Sequence, residues 1–353
     1  METLARAWQI ASRPVGAVSG RNFRWVEAPV VAPGAGEVRV RVIYLSIDPV
    51  QRYWLSPDAT FGPPTTPGNP MPGRIWGVVE ASADPSFRPG ELVAGPGSWA
   101  THCLIPAAML ERVPDWPGIP LLAHTSLFCM QALTAYFGLL EIAALRPTDT
   151  VVVSAAAGAV GMLVVQIARI SGCARLVAIA GSEEKCRWLE DELQVDAAIN
   201  YKAGDLAGRL DAACPAGIDV YYDNVGGEIL DAVLARINAH ARIACGGYIS
   251  HYDEATPATG IRNFSMLALK QARAEGFSCF EYVHRQEEAF SVLRNWYAER
   301  RIIAHTHLVK GLEQAPEALA AIFRGGNLGK TVIEVSSPER APEPAPAPEG
   351  TRP

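Results

Sequence analysis

The stretch Thr150–Ser171 (TVVVSAAAGAVGMLVVQIARIS) limits what this chain can fold into more than any other. Thr150 to Val153 form a short β-branched run, suited to a strand covered on both faces. Small residues fill Ser154 to Gly161, and Met162 to Ile170 continue with apolar residues at helical spacing. The turn reads Ala156-x-Gly158-x-x-Gly161, a dinucleotide-binding pattern with alanine in place of its first glycine. Gly158 would let the backbone approach a pyrophosphate, and Gly161 would let helix and strand pack closely. Unpaired N–H groups at the helix start would face the phosphates. Two plainer readings compete. A membrane span fits so apolar a run, but the turn divides it into strand-length and helix-length pieces. A βα turn that binds nothing is the other, because the degenerate glycine pattern is not specific by itself.

The rest of the chain bears on that choice. Its 353 residues are enough for two domains. With a formal net charge of −6 and a pI near 5.7, neither nucleic acid nor an anionic membrane is expected as a partner. The opening METLARAWQIASRPVG has no sustained apolar segment of the secretory kind, so a cytoplasmic protein is expected. Seven scattered cysteines (103, 129, 173, 186, 214, 245 and 279) then read as reduced thiols, not as a disulfide framework.

Residues 1–125 are rich in turns. Glu37–Ile47 alternates charged and apolar residues like a half-buried antiparallel strand. Phe61–Gly73 is crowded with proline and glycine and reads as a loop lining a cleft. Ile75–Ala81 and Glu91–Ala94 are further strands, the second followed by a turn at Gly95-Pro96-Gly97. This pattern predicts a small irregular barrel. Beyond Ala123 the period changes. His124–Ala144 reads as one or two helices, followed by strands at 150–154, 175–180, 197–200, 218–222, 241–245 and near 275–280. Helices are expected at Glu183–Leu193 and Ile229–Asn238. Such alternation predicts a parallel, doubly wound sheet. Residues 1–125 and 306–337 would form one discontinuous barrel-like substrate domain, with the last strand completing the barrel. Residues 126–305 would form the nucleotide-binding domain, and the proline-rich 338–353 a disordered tail.

An NAD-binding strand would end in an acidic residue for the ribose 2′-hydroxyl. Here it ends in Gly181-Ser182, with Lys185 one turn into the next helix, an arrangement that favours NADP. No C-x-x-C occurs, and His305 and His307 have no third ligand near them in sequence, so no metal is expected. No G-x-S-x-G elbow is present either. What remains is the loop Gly246–Tyr252, beyond the fifth strand, whose Tyr248 and Tyr252 place phenols where a substrate carbonyl could be met.

Six segments in order, LTAYFGLLE (133–141), VVSAAAGAVG (152–161), AGSEEKCRWL (180–189), INYK (199–202), GIDVYYDNVGGEILDAV (217–233) and GGNLGK (325–330), resemble one family. They are similar to the zinc-independent medium-chain dehydrogenase/reductases, in the prostaglandin reductase and alkenal double-bond reductase branch. The resemblance runs from about residue 35 to 335. It implies an irregular GroES-like β-barrel domain plus a Rossmann doubly wound sheet, NADP(H), a homodimer, and reduction of the C=C bond of an α,β-unsaturated carbonyl. It places Lys185, Tyr201 and Ser182 at the 2′-phosphate, Gly158, Ala159 and Val160 at the pyrophosphate, and Asn224 and Asn327 along the cofactor. Tyr252 falls near nicotinamide and substrate, as the catalytic residue.

The departures cluster in the substrate pocket. There the family's D-P-Y-M-R is Asp48-Pro49-Val50-Gln51-Arg52, followed by Tyr53, and its M-P-G-L-T-A-Y begins Met130-Gln131-Ala132. A small residue is replaced by Tyr248, and an asparagine by Asp253. A changed substrate is therefore expected. Reduction of an imine or iminium on the same scaffold, in a pocket made more polar by Gln51 and Tyr248, is one alternative. A nucleotide-binding protein without turnover is the other.

Overall fold

The computed structural model describes residues 3–252 and 260–338. Asp253 and nearly all of the proline-rich segment therefore lie outside the described residues. Strands β1 (Leu4–Ile10) and β2 (Phe23–Pro29) form a two-stranded antiparallel ribbon. The barrel sheet takes β3 (Glu37–Ser46), β4 (Pro72–Ser82), β5 (Leu92–Ser98), β6 (His102–Pro106) and β7 (Glu111–Arg112), with the short helix α1 (Val50–Trp54) after β3. Alternation in β3 works as its sequence implies. Val38, Val40 and Val42 are buried, while Arg39 and Arg41 each lie 3.5 Å from Glu80.

Helices α2 (Leu121–Leu127) and α3 (Met130–Phe137) lead into the second sheet. There β8 (Thr150–Val153), α4 (Gly161–Ser171), β9 (Arg175–Ala180), α5 (Glu183–Asp191), β10 (Ala197–Asn200), α6 (Leu206–Ala213), β11 (Ile218–Asp223), α7 (Gly227–Leu234), β12 (Ile237–Cys245), α8 (Met266–Leu269) and β13 (Arg273–Gly276) succeed one another. The spatial order is β10-β9-β8-β11-β12-β13, all parallel. Counted from β8 this is 3-2-1-4-5-6, the doubly wound order, whose ligand crevice opens where the order reverses, between β8 and β11. All four residues of β8 are buried, which explains its unbroken β-branched run. Val151 and Val153 share a core with Leu163, Val164 and Ile167 of α4.

After α9 (Gln286–Ala298) the chain returns to the barrel sheet through β14 (Thr306–Lys310), α10 (Ala315–Phe323) and β15 (Lys330–Glu334). β15 pairs with β3 (Val332 opposite Ser46) and β14 lies outside it. Among the described residues no single helix is long and apolar enough to cross a membrane. All seven thiols are unpaired.

Two local expectations fail. Gly95, Pro96 and Gly97 make no turn. They continue β5 opposite Ile75, Arg74 and Gly73, and a Cβ on Gly97 would sit 2.7 Å from Ile75 Cγ1. The glycine there makes room for a neighbouring strand's side chain instead of reversing the chain. The helix expected over Ile229–Asn238 stops at Leu234, because Ile237 is taken into the ladder opposite Ile218. Tertiary pairing overrides the helical period.

Candidate cofactor and active site

The glycine turn after β8 is built for close approach. A Cβ on Gly161 would lie 2.3 Å from the Ala155 carbonyl oxygen and 2.7 Å from Ala156 Cα, so only glycine fits there. Ala155 itself is left-handed at φ 47°, in the tight bend before the helix. Val160 precedes α4 with no side-chain cap, and its N–H has no partner among the described residues. That amide, at the positive end of α4, is open to an anion. Gly158 bridges to Gly329, whose N–H donates to Ala157 O at 2.8 Å, so the segment ahead of β15 closes over the turn. Asn327 sits in that segment with its Nδ2 on Gly329 O at 2.9 Å.

The crevice between β8 and β11 is pinned by one polar network. Asn224 Nδ2 donates to Ser154 O (2.8 Å), and its N–H to Ser154 Oγ (2.9 Å). The buried Asp223 Oδ1 accepts from Ser154 Oγ, Tyr221 Oη, and the Val225 and Gly226 amides. Asn224 thus holds the turn's backbone, with its Oδ1 left over.

At the end of β9, Ser182 caps α5 by accepting from the Lys185 N–H at 3.2 Å. Tyr201 packs its ring edge over Gly181, where a Cβ would come 3.2 Å from Cε1. Burial, and then the charge of Lys202, lower the proton affinity of Lys185. Lys202 lies in the quoted INYK segment but was given no role by sequence, because on a 3₁₀ turn after β10 its side-chain direction is not set by any periodicity.

The tyrosines converge from separate segments. Tyr53 of α1 stacks on Phe61 (4.7 Å between ring centres) and lies 5.8 Å from Tyr252, which meets Tyr248 edge-on at 4.9 Å. The Tyr248 loop rests on the loop after β11: a Cβ on Gly226 would lie 3.5 Å from Tyr248 Cβ. This puts the cluster at the carboxyl ends of β11 and β12. Tyr53 Oη is committed to the Thr60 N–H and Oγ1, both at 2.9 Å. Tyr252 Oη has no hydrogen-bond partner among the described residues. Burial first, then the nearby Tyr248 and Tyr53, push its phenol up to about 12. Tyr248 is the more open ring, 42% exposed.

One residue expected in the pocket, Gln51, does other work. Gln51 is 1% exposed, and its amide is spent on backbone: Nε2 on Ser46 O and Pro72 O, Oε1 on the Asp48 N–H. It locks the turn before α1 and presents no polar group to a ligand, which removes the reason for a more polar pocket there. Met130, the first residue of α3, packs beside Leu133 and Phe137. Unforeseen from the sequence is the Asp48 carboxylate, which accepts from Lys330 Nζ (2.9 Å) and Gln131 Nε2 (2.6 Å) on Oδ1 and from Ser46 Oγ on Oδ2. Nothing in spacing links residues 282 apart.

Among the described residues no three His, Cys, Asp or Glu side chains come together to hold a metal. His305 packs on Trp188 (5.0 Å between ring centres), and both His305 and His307 are held below the ordinary imidazole range, chiefly by burial.

Residues 6–113 match the N-terminal domain of oxidoreductase, and residues 159–295 match the zinc-binding dehydrogenase family. The NADPH-dependent curcumin reductase of Escherichia coli K12 is 37% identical over 336 residues, 94% of this chain and 97% of that one. The chain belongs to the zinc-independent medium-chain dehydrogenase/reductases. Within that family the 2-alkenal reductase (NADP(+)-dependent) of Nicotiana tabacum is also 37% identical, over 87% of this chain and 89% of the relative. The crystal structure of CurA from Vibrio vulnificus in complex with NADPH matches with a TM-score of 0.88 at 37% identity, covering 94% of this chain and all of that one. Although the second family is described as zinc-binding, the histidines and cysteines of this member form no metal-holding group among the described residues.

Proposed function

We propose that this protein reduces the C=C bond of α,β-unsaturated ketones and aldehydes. It is an NADP-dependent oxidoreductase, and its cofactor is NADP(H). The residues present fit that group: an open amide at Val160 for the pyrophosphate, a Gly161 position no Cβ can enter, and Lys185 and Lys202, with no ion pair among the described residues, beside Ser182 and Tyr201. Bound NADPH supplies a hydride, delivered to the β-carbon of the conjugated carbonyl.

The chain's own work is orientation, exclusion of water and management of one proton. Negative charge develops on the substrate's carbonyl oxygen, where a hydrogen-bond donor meets it. The observation that carries this reading is Tyr252. It is a hydroxyl with no hydrogen-bond partner among the described residues, in an aromatic cluster at the carboxyl ends of β11 and β12, its proton retained far above neutral pH. Tyr252 Oη donates to the developing enolate, and the α-carbon is protonated from Tyr252 or from water. Tyr53, Phe61 and Tyr248 wall the site.

NADPH absorbance followed against a panel of enones, enals and cyclic imines tests this. Enones and enals are expected to be turned over, with no loss on treatment with a chelator. Consumption with imines alone, or tight NADPH binding with no consumption, would overturn it. The imine reading now rests on Tyr248 alone, because Gln51 is bonded to backbone.

A homodimer is proposed as well. Strand β13 ends the parallel sheet with all four residues exposed, flanked by Leu269 and Phe280 at 73% and 72% exposure. An unpaired edge beside apolar side chains favours pairing with a second copy. Light scattering should give twice the chain mass at micromolar concentration, and Phe280→Asp should shift it toward the monomer. A monomeric wild type would refute the pairing.

A further inference from the structure

Lys185 and Lys202 approach the chain from different elements yet reach the same place. A Cβ built on Gly325 would lie 3.9 Å from Lys185 Nζ and 3.9 Å from Lys202 Nζ. Gly325 is left-handed (φ 76°) and follows α10, so two ammonium groups from the parallel sheet's edge face a bare backbone segment leading back to the barrel. Neither ammonium has a hydrogen bond or ion pair among the described residues. Of the two acids that open α5, Glu183 Oε1 accepts from Asn200 Nδ2 at 2.9 Å, while the charge of Glu184 acts on Lys185 without an ion pair between them. The same Asn200 uses its Oδ1 to accept the Lys202 N–H at 3.1 Å, which fixes the turn that projects Lys202. Two like charges kept together, with burial and mutual repulsion outweighing the nearby Glu184, form an arrangement that costs free energy until an anion joins them. The lowered proton affinity of Lys185, caused by burial and then by Lys202, is the electrostatic counterpart of this geometry.

We propose that Lys202 is a second phosphate-binding cation, forming with Lys185 a two-lysine clamp on the cofactor's 2′-phosphate and setting the preference for NADP over NAD. This assignment rests on the NADP(H) reading of the site. The clamp takes a phosphomonoester dianion. It discriminates because a 2′-hydroxyl leaves both charges unpaired.

The test is equilibrium titration of the purified full chain with NADP+, NAD+ and adenosine 2′,5′-bisphosphate, which carries the 2′-phosphate without the nicotinamide. Lys202→Gln should weaken NADP+ and the bisphosphate by about tenfold, the loss expected for one hydrogen bond to a charged group. It should leave NAD+ within about a factor of two, while Lys202→Arg keeps most of the affinity, since either cation can pair with phosphate. The affinity of Lys202→Gln for NADP+ should also depend less on salt than that of the wild type. If Lys202→Gln binds NADP+ as the wild type does, or loses NADP+ and NAD+ equally, the clamp is wrong while the NADP(H) reading stands. If the wild type itself does not distinguish the two nucleotides, that reading fails and the clamp with it.

Discussion

Replacing Tyr252 with phenylalanine should lower kcat for an enone by about a hundredfold, the usual effect of removing one donor from a developing oxyanion. NADPH affinity should hardly change, because the residue sits among Tyr53 and Tyr248 and not at the glycine turn or the lysines. The ring is retained, so packing with its two neighbours survives and a folding defect is not the expected cause. The phenol also predicts a pH response. Its proton is required, and burial together with the adjacent tyrosines holds it up to about 12. A raised acid keeps its proton to higher pH, so Tyr252 should impose no loss of rate between pH 6 and 9. Steady-state rates and a separate NADPH titration of the variant decide the matter. An unchanged kcat would remove Tyr252 from the reaction.

Lys330→Met should cost roughly 3–5 kcal/mol of stability, the typical result of removing one partner from a buried ion pair. The Lys330 side chain is 1% exposed and spends its three protons on Ile47 O (3.0 Å), Asp48 Oδ1 (2.9 Å) and Thr331 O (3.1 Å). Its loss leaves the Asp48 carboxylate with only Gln131 and Ser46 as side-chain donors, takes the ammonium from Ile47 O, and leaves Thr331 O with the Ile47 N–H. The double variant Lys330→Met with Asp48→Asn should recover part of the loss, because the orphaned charge goes too. Asp48 lies just before α1, which carries Tyr53, so KM should rise in the single variant. Urea unfolding of the wild type and both variants measures this. Equal midpoints for wild type and Lys330→Met would mean the pair contributes nothing to the fold.

Much of the framework was legible from residue order. β-branched runs of strand length alternated with amphipathic stretches, and such short-range patterns report directly on whether an element is covered on one face or two. Strands β9 and β10 fall where expected for that reason. The glycine turn was legible as well, since its chemistry is confined to eight neighbouring residues. Errors arose where a residue type has two uses. Glycine and proline at 95–97 can turn a chain or admit a neighbour's side chain, and only the packed position of Ile75 distinguishes them. Ile237 fits a helical period, but pairing with Ile218 claims it for a strand.

The aromatic cluster, the approach of Lys202 to Lys185 and the Asp48–Lys330 pair were decided by tertiary structure. Sequence placed Tyr53, Tyr248 and Tyr252 near a substrate but could not say that the Tyr53 hydroxyl is already spent; that depends on Thr60 reaching it. It marked Gln51 as a pocket residue, whereas the strand end at Ser46 and the start of β4 at Pro72 consume its amide. Order along the chain determines which elements form and where the glycine turn lies, because those interactions act over a few residues. Which polar groups are left uncommitted is settled by packed contacts that no periodicity reports, from Thr60 on Tyr53 seven residues away to Lys330 on Asp48 282 residues away, where burial sets what each must bond.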